Sequence, residues 1–111
     1  VAALAALGAA DVARVVAVIG PSIGPCCFEV GDDVAGEIAR ATRPEVVLAR
    51  EGMKPTVDLW LAVETRLRAA GVGRVETLGR CTACERERFF SYRRDGQRSG
   101  RMVGAIVARS P

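Results

Sequence analysis

The apolar positions change their period from segment to segment, and those changes divide the chain into elements. Residues 14–19 (Arg-Val-Val-Ala-Val-Ile) form a short, nearly unbroken apolar run rich in β-branched residues, the pattern of a strand buried on both faces. The Gly20-Pro21-Ser22-Ile23-Gly24-Pro25 stretch that follows ends all regular structure. A helix is predicted from about Asp33 to Ala41, with Asp32 or Asp33 as its N-cap and Val34, Ile38 and Ala41 on its inner face. Pro44 stops it. Residues 45–55 are divided: Val46-Val47-Leu48 suits a short strand, whereas Gly52 and Pro55 suit a loop. Thr56 is read as the cap of a helix running to Ala70, with Val57, Trp60, Leu61, Leu67 and Ala70 as its apolar stripe and Gly71 as its end.

Residues 74–78 alternate as a half-exposed strand does. Phe89-Phe90-Ser91-Tyr92 reads as a further strand or a strand-edge loop, and Asp95-Gly96 carries turn chemistry. Residues 101–108 are apolar on both alternating faces and predict a central strand, with Gly104 marking close packing. The strands at 14–19, 74–78 and 101–108 are expected in one mixed sheet, with the 56–70 helix packed on a face and Trp60 mostly buried. The fold class is α+β, a mixed β-sheet flanked by helices. No repeat or linker divides residues 1–111, which read as a single unit. Val1 to Leu7 looks like the last turns of a helix capped by Gly8, so the chain is expected to be a piece of a larger domain.

Composition narrows the chemistry. Hydrophobic residues make up 50% of the chain, enough for a core. No apolar run approaches the roughly 20 residues that span a bilayer, so no membrane partner is expected. The net charge of +3, with both signs interspersed, is a weak argument for nucleic acid. The 4 cysteines occur as Cys26-Cys27 and Cys81-x-x-Cys84, and there is no histidine. Adjacent cysteines strain a shared disulfide, so reduced thiols and a cytoplasmic location are the default reading.

The absence of histidine removes the commonest metal ligand and general base. A four-cysteine zinc site is disfavoured on spacing, because adjacent residues rarely face one tetrahedral ion. A redox pair at Cys81 and Cys84 is disfavoured by Glu85 and Glu87, which oppose thiolate formation. No metal ligand is therefore assigned, and no complete catalytic constellation is present. Arginines concentrate between Arg80 and Arg101, interleaved at Phe89-Phe90-Ser91-Tyr92-Arg93-Arg94 with aromatic residues. Such a segment can stack bases or hold phosphate. It can equally form a hairpin in which Arg93 or Arg94 pairs with Asp95 or Glu29.

Taken in order, the segments Gly-Pro-Ser-Ile-Gly-Pro-Cys-Cys-Phe-Glu-Val-Gly (20–31), Asp-Leu-Trp (58–60), Cys81-Thr82-x-Cys84, Phe-Phe-Ser-Tyr-Arg-Arg-Asp-Gly (89–96) and Ser-Gly-Arg-Met (99–102) resemble the YfiH-like family. It is also called the laccase-domain or multicopper polyphenol oxidase family, and it includes bacterial purine nucleoside phosphorylases. Ser99 stands where the family often has Thr, and Glu85-Arg86 where Asn-Pro or His-Pro is common. The resemblance implies that the chain is the C-terminal half of a longer enzyme domain. That domain's metal site, two histidines and a cysteine holding Zn (or Cu), lies in the upstream half, so its ligands are not in this chain.

The implied activity is that of a zinc-dependent purine nucleoside enzyme. Its reactions are phosphorolysis of adenosine, inosine or methylthioadenosine and deamination of adenosine, with the isolated chain inactive. The implied partners are a small-molecule nucleoside and phosphate. Arg93, Arg94, Arg101 and Cys26 are the substrate-binding candidates, with Arg93 or Arg94 as the phosphate contact, and the Gly20–Cys27 loop and Tyr92–Arg101 segment are expected beside the cleft. Two other readings are a copper-dependent polyphenol oxidase of the same fold and an arginine-rich or zinc-bound nucleic-acid module.

Overall fold

The computed structural model describes residues 8–105. In chain order the elements are α1 (Ala9–Ala13), β1 (Val16–Ile19), α2 (Asp32–Ala41), a 3-10 turn (Pro44–Val46), β2 (Val47–Arg50), β3 (Met53–Val57), α3 (Leu59–Ala69), β4 (Arg74–Thr77), the single-turn α4 (Tyr92–Asp95) and a 3-10 turn (Gly96–Arg98). Strands and helices are mixed, so the α+β class holds.

The strands expected at 14–19 and 74–78 do share a sheet, but one of two strands only, and a second two-stranded sheet lies between them in chain order. β1 and β4 pair in parallel, with Val16 opposite Arg74 and Ile19 opposite Thr77. β2 and β3 form an antiparallel hairpin with Val47 opposite Val57. The hairpin turns at Glu51-Gly52, where Gly52 takes the positive φ of 69° that a tight turn requires. Pro55, which argued for a loop, sits inside β3, where it has no N–H to give the ladder; its carbonyl instead accepts from the Val30 amide at 3.2 Å.

The core lies between the hairpin and two helices. Val46 and Val57 are fully buried, and Val30, Ala35 and Ala62 complete the cluster, with Phe28, Ile38 and Leu61 packed against it. α2 turns Ala35, Ile38 and Ala39 toward this core, whereas Val34, expected inside, is exposed. Burying small residues lets the helix lie close to the hairpin. α3 starts at Leu59, not at Thr56. Asp58 is its cap, and its carboxylate accepts from the Leu61 amide at 3.1 Å. Thr56 is buried in β3.

β1 is buried less than its sequence suggests. Ile19 faces inward, but Val16 and Val18 are more than half exposed. Residues 101–105, read as the start of a central strand, are irregular and exposed. The rest of that strand, 106–108, and the helical reading of Val1 to Leu7 lie outside the described residues. Trp60 is half-buried rather than mostly buried. Among the described residues no helix is long and apolar enough to cross a membrane.

Candidate functional site

The β1–β4 ladder continues past the strands and assembles the site. Leu78 donates to the Ile19 carbonyl, Ser22 to the Arg80 carbonyl, and Thr82 back to the Ser22 carbonyl, at 3.1–3.2 Å. Ser22 and Cys81 thereby form a parallel bridge. The loop after β1 then crosses to the hairpin, where Glu29 bridges Thr56. Residues 20–31 are thus fastened at both ends, to the segment after β4 and to β3.

Two tight turns place the cysteines. Cys27 and Phe28 both donate to the Gly24 carbonyl, closing a turn over residues 25–27. Glu85 donates to the Cys81 carbonyl, a helix-like turn that sets Cys81 and Cys84 on one face. The four sulfurs lie within 4.8 Å of one another. Cys26 Sγ is 3.2 Å and Cys27 Sγ 3.4 Å from Cys84 Sγ. The spacing argument against convergence of adjacent cysteines therefore fails. It assumes side chains that alternate, as in a strand, whereas in a helical turn successive residues are only about 100° apart.

The thiols are not equivalent. Cys81 is buried; burial pushes its thiol up, but N–H groups of Gly24, Cys84 and Ala83 together with the Cys26 thiol outweigh it and hold it down at about 6. Gly24 donates to Cys81 Sγ at 3.2 Å. A Cβ at Gly24 would meet the Trp60 ring at 2.8 Å, so only glycine brings this amide so close. Cys26 is pushed up by burial of its sulfur and by its bond with Cys84, and Cys27 by Cys84 first and then burial. Trp60 fixes the loop from the other side, its Nε1 donating to Ser22 Oγ at 2.7 Å.

The arginines divide by role. Arg94 is nearly enclosed, its side chain 12% exposed. Its guanidinium donates to both Asp95 carboxylate oxygens and to the carbonyls of Thr82, Ala83 and Phe89. The bond from Arg94 holds the Asp95 carboxyl below its ordinary range. Arg94 therefore takes the Asp95-paired structural position, but in a helical turn rather than the hairpin that reading expected. Arg93 is exposed; its guanidinium sits 4.9 Å from the centre of the Phe28 ring and donates to the Glu29 carbonyl at 2.7 Å.

Arg93 also borders a groove of about 330 Å³ with Ile23, Phe28, Thr82, Phe90 and Tyr92. Phe90 and Tyr92 are shared with a second cleft of about 540 Å³, lined further by Gln97, Ser99, Met102 and Arg101. The structure thus brings the 20–31 loop to Arg93 and Tyr92. It puts Arg101 in the neighbouring cleft and places Cys26 among the thiols rather than in either groove. Phe28, not singled out from the sequence, joins the two segments; it is the aromatic residue of the 20–31 loop.

The donor set here is four thiols and no histidine. Thiolates suit a soft ion such as zinc, whereas copper centres that oxidise phenols draw on imidazole. The residues present do not fit a multicopper site.

Residues 1–109 match the family described as "Multi-copper polyphenol oxidoreductase laccase". A relative in Geobacillus stearothermophilus, named purine nucleoside phosphorylase YlmD, is 41% identical over 82% of this chain and 35% of its own length. The human purine nucleoside phosphorylase LACC1 is 33% identical over 83% of this chain and 23% of its length. The crystal structure of a Bacillus licheniformis hypothetical protein YfiH superposes with a TM-score of 0.64 and 36% identity, covering 70% of this chain and 31% of the other. The chain spans about a third or less of each of these proteins.

Proposed function

The chain belongs to the multi-copper polyphenol oxidoreductase laccase family, and from that premise we propose that it forms the C-terminal part of a cytoplasmic purine nucleoside phosphorylase and supplies the wall that holds nucleoside and phosphate. The observation that carries this reading is the meeting of Phe28, Phe90, Tyr92 and Arg93 around one groove, with Arg101 in the cleft beside it. Exposed aromatic faces stack a purine, and guanidinium groups hold phosphate oxygens. The names of the relatives, purine nucleoside phosphorylase, support this reading.

In phosphorolysis, a phosphate oxygen attacks the anomeric carbon of the ribose as the bond to the purine breaks. The residues of this chain would orient the two reactants and neutralise the phosphate. The proposed substrates are adenosine, inosine and methylthioadenosine, with deamination of adenosine as a further reaction. Zinc held outside this chain would polarise the substrate or activate water; no role here depends on it.

Steady-state kinetics on the full-length protein tests the wall. Arg93→Ala should raise the Michaelis constant for phosphate by roughly tenfold, and Phe90→Ala that for inosine by a similar factor, consistent with about 1–3 kcal/mol for a stacked base. Both variants should melt as the parent does. Lowered melting temperatures with unchanged Michaelis constants would assign these residues to structure and remove the proposed site.

A further inference from the structure

The wall leaves the thiol cluster unused. Its geometry is close to that of a tetrahedral site. Zinc–sulfur bonds of about 2.3 Å place the sulfurs of a tetrahedron about 3.8 Å apart. The observed separations run from 3.2 Å to no more than 4.8 Å, so shifts of about an ångström would seat an ion among them. We propose that Cys26, Cys27, Cys81 and Cys84 hold one zinc ion in a closed, all-thiolate site that ties the 20–31 loop to the 81–84 turn.

The surroundings suit a metal thiolate. The Gly24 amide donates to Cys81 Sγ, the kind of outer-shell bond that orients a ligand and offsets its charge. Zinc with four thiolates carries a net charge of −2. The Arg94 guanidinium, paired with Asp95, donates to the carbonyls of Thr82 and Ala83 and so fixes the backbone of the Cys81–Cys84 turn. Cys84 borders a shallow cleft in which Arg86 and Arg88 alternate with Glu85 and Glu87, so the charges there balance. Metal binding takes the thiols as thiolates, so their protons leave to solvent as the ion enters.

Four protein donors leave no open coordination position, so the ion acts as a cross-link. The ligands it joins are 57 and 58 residues apart between Cys84 and the Cys27 and Cys26 pair, a long loop to close. The 20–31 loop carries Phe28, so the ion would hold one side of the aromatic groove. The assignment rests on the sulfurs alone and stands whether or not the groove binds nucleosides.

Two measurements test it on the full-length protein. The first is alkylation followed by mass spectrometry of the peptides that carry residues 26–27 and 81–84. Zinc should slow alkylation of both peptides together, and a chelator should restore it. The second is cobalt(II) loading, which should give the charge-transfer and visible bands of a tetrahedral sulfur site, displaced by one equivalent of zinc. Cys84→Ser should abolish those bands and weaken zinc binding at this site by more than the roughly 10–100-fold lost with an outer-shell partner. Equal alkylation with and without zinc would overturn the site without any variant. So would a Cys26–Cys84 disulfide in freshly prepared protein, or cobalt bands unchanged by Cys84→Ser.

Discussion

The hairpin end and the loop end of this molecule are held together by different means. Around Val46 and Val57 the contacts are apolar side chains fully removed from water. Around Gly24, Cys81 and Arg94 there is little apolar burial; a guanidinium, a set of thiols and a run of backbone bonds take its place. Apolar packing is non-directional and tolerates approximate shapes, so it suits a scaffold. Directional bonds fix atoms at chosen places, so they suit the end that presents Phe28, Phe90, Tyr92 and Arg93 to solvent.

The contrast breaks most visibly in the core. Val57→Ala removes two methyl groups from a site with no exposure and should cost about 2–3 kcal/mol of unfolding free energy. Urea denaturation measures it. The Michaelis constants of the folded fraction should stay at parental values, since Val57 lines neither groove.

Arg94→Ala should have a smaller effect on global melting but a larger local one, because it frees the carbonyls of Thr82, Ala83 and Phe89 at once. The variant should melt early, and hydrogen exchange should rise in 81–98 while the hairpin stays protected. Arg94→Lys should not rescue it, since an ammonium lacks the planar fork that reaches these acceptors together. Uniform loss of protection over the whole chain would show that the two ends are one cooperative unit and dissolve the contrast.

A third effect is a pH dependence in the metal-free protein. Cys81 is held at about 6 against an ordinary value of 9.0. In that window the folded chain carries a thiolate and the unfolded chain a thiol, so unfolding takes up a proton. Stability should therefore rise as the pH climbs from 6 toward 9, and the contribution should disappear below 6. Cys26 and Cys27, pushed upward, act with the opposite sign only above their ordinary values. Cys81→Ser should flatten the rise measured by thermal melts.

The two ends were also unequally legible in the sequence. Periodicity found β1, β4, α2 and α3 to within a few residues, because each carries its own apolar pattern. The β2–β3 hairpin was obscured by Gly52 and Pro55, one of which makes the turn while the other lies in a strand where no ladder bond requires its N–H. Asp58 is masked as a cap in the sequence because Thr56, two residues earlier, is also a capping type; tertiary pairing with Glu29 draws Thr56 into the strand. The cysteine cluster was hidden because its geometry arises from two turns far apart in sequence. What decides it is the backbone bond from Thr82 to Ser22, and no local pattern reports that bond. Arg93 and Arg94 look alike in sequence, and only the position of the 81–84 turn separates the enclosed one from the exposed one.

We propose that the aromatic and arginine-lined end serves a phosphate-dependent nucleoside reaction. The most direct measurement is to incubate the full-length protein with inosine, with and without phosphate, and to quantify free base and ribose phosphate together with oxygen uptake on a phenolic substrate. Hypoxanthine and ribose 1-phosphate should appear in equal amounts, only with phosphate present, and with no phenol-dependent oxygen consumption. Oxygen uptake with a phenol and no turnover of any purine nucleoside would contradict the proposal.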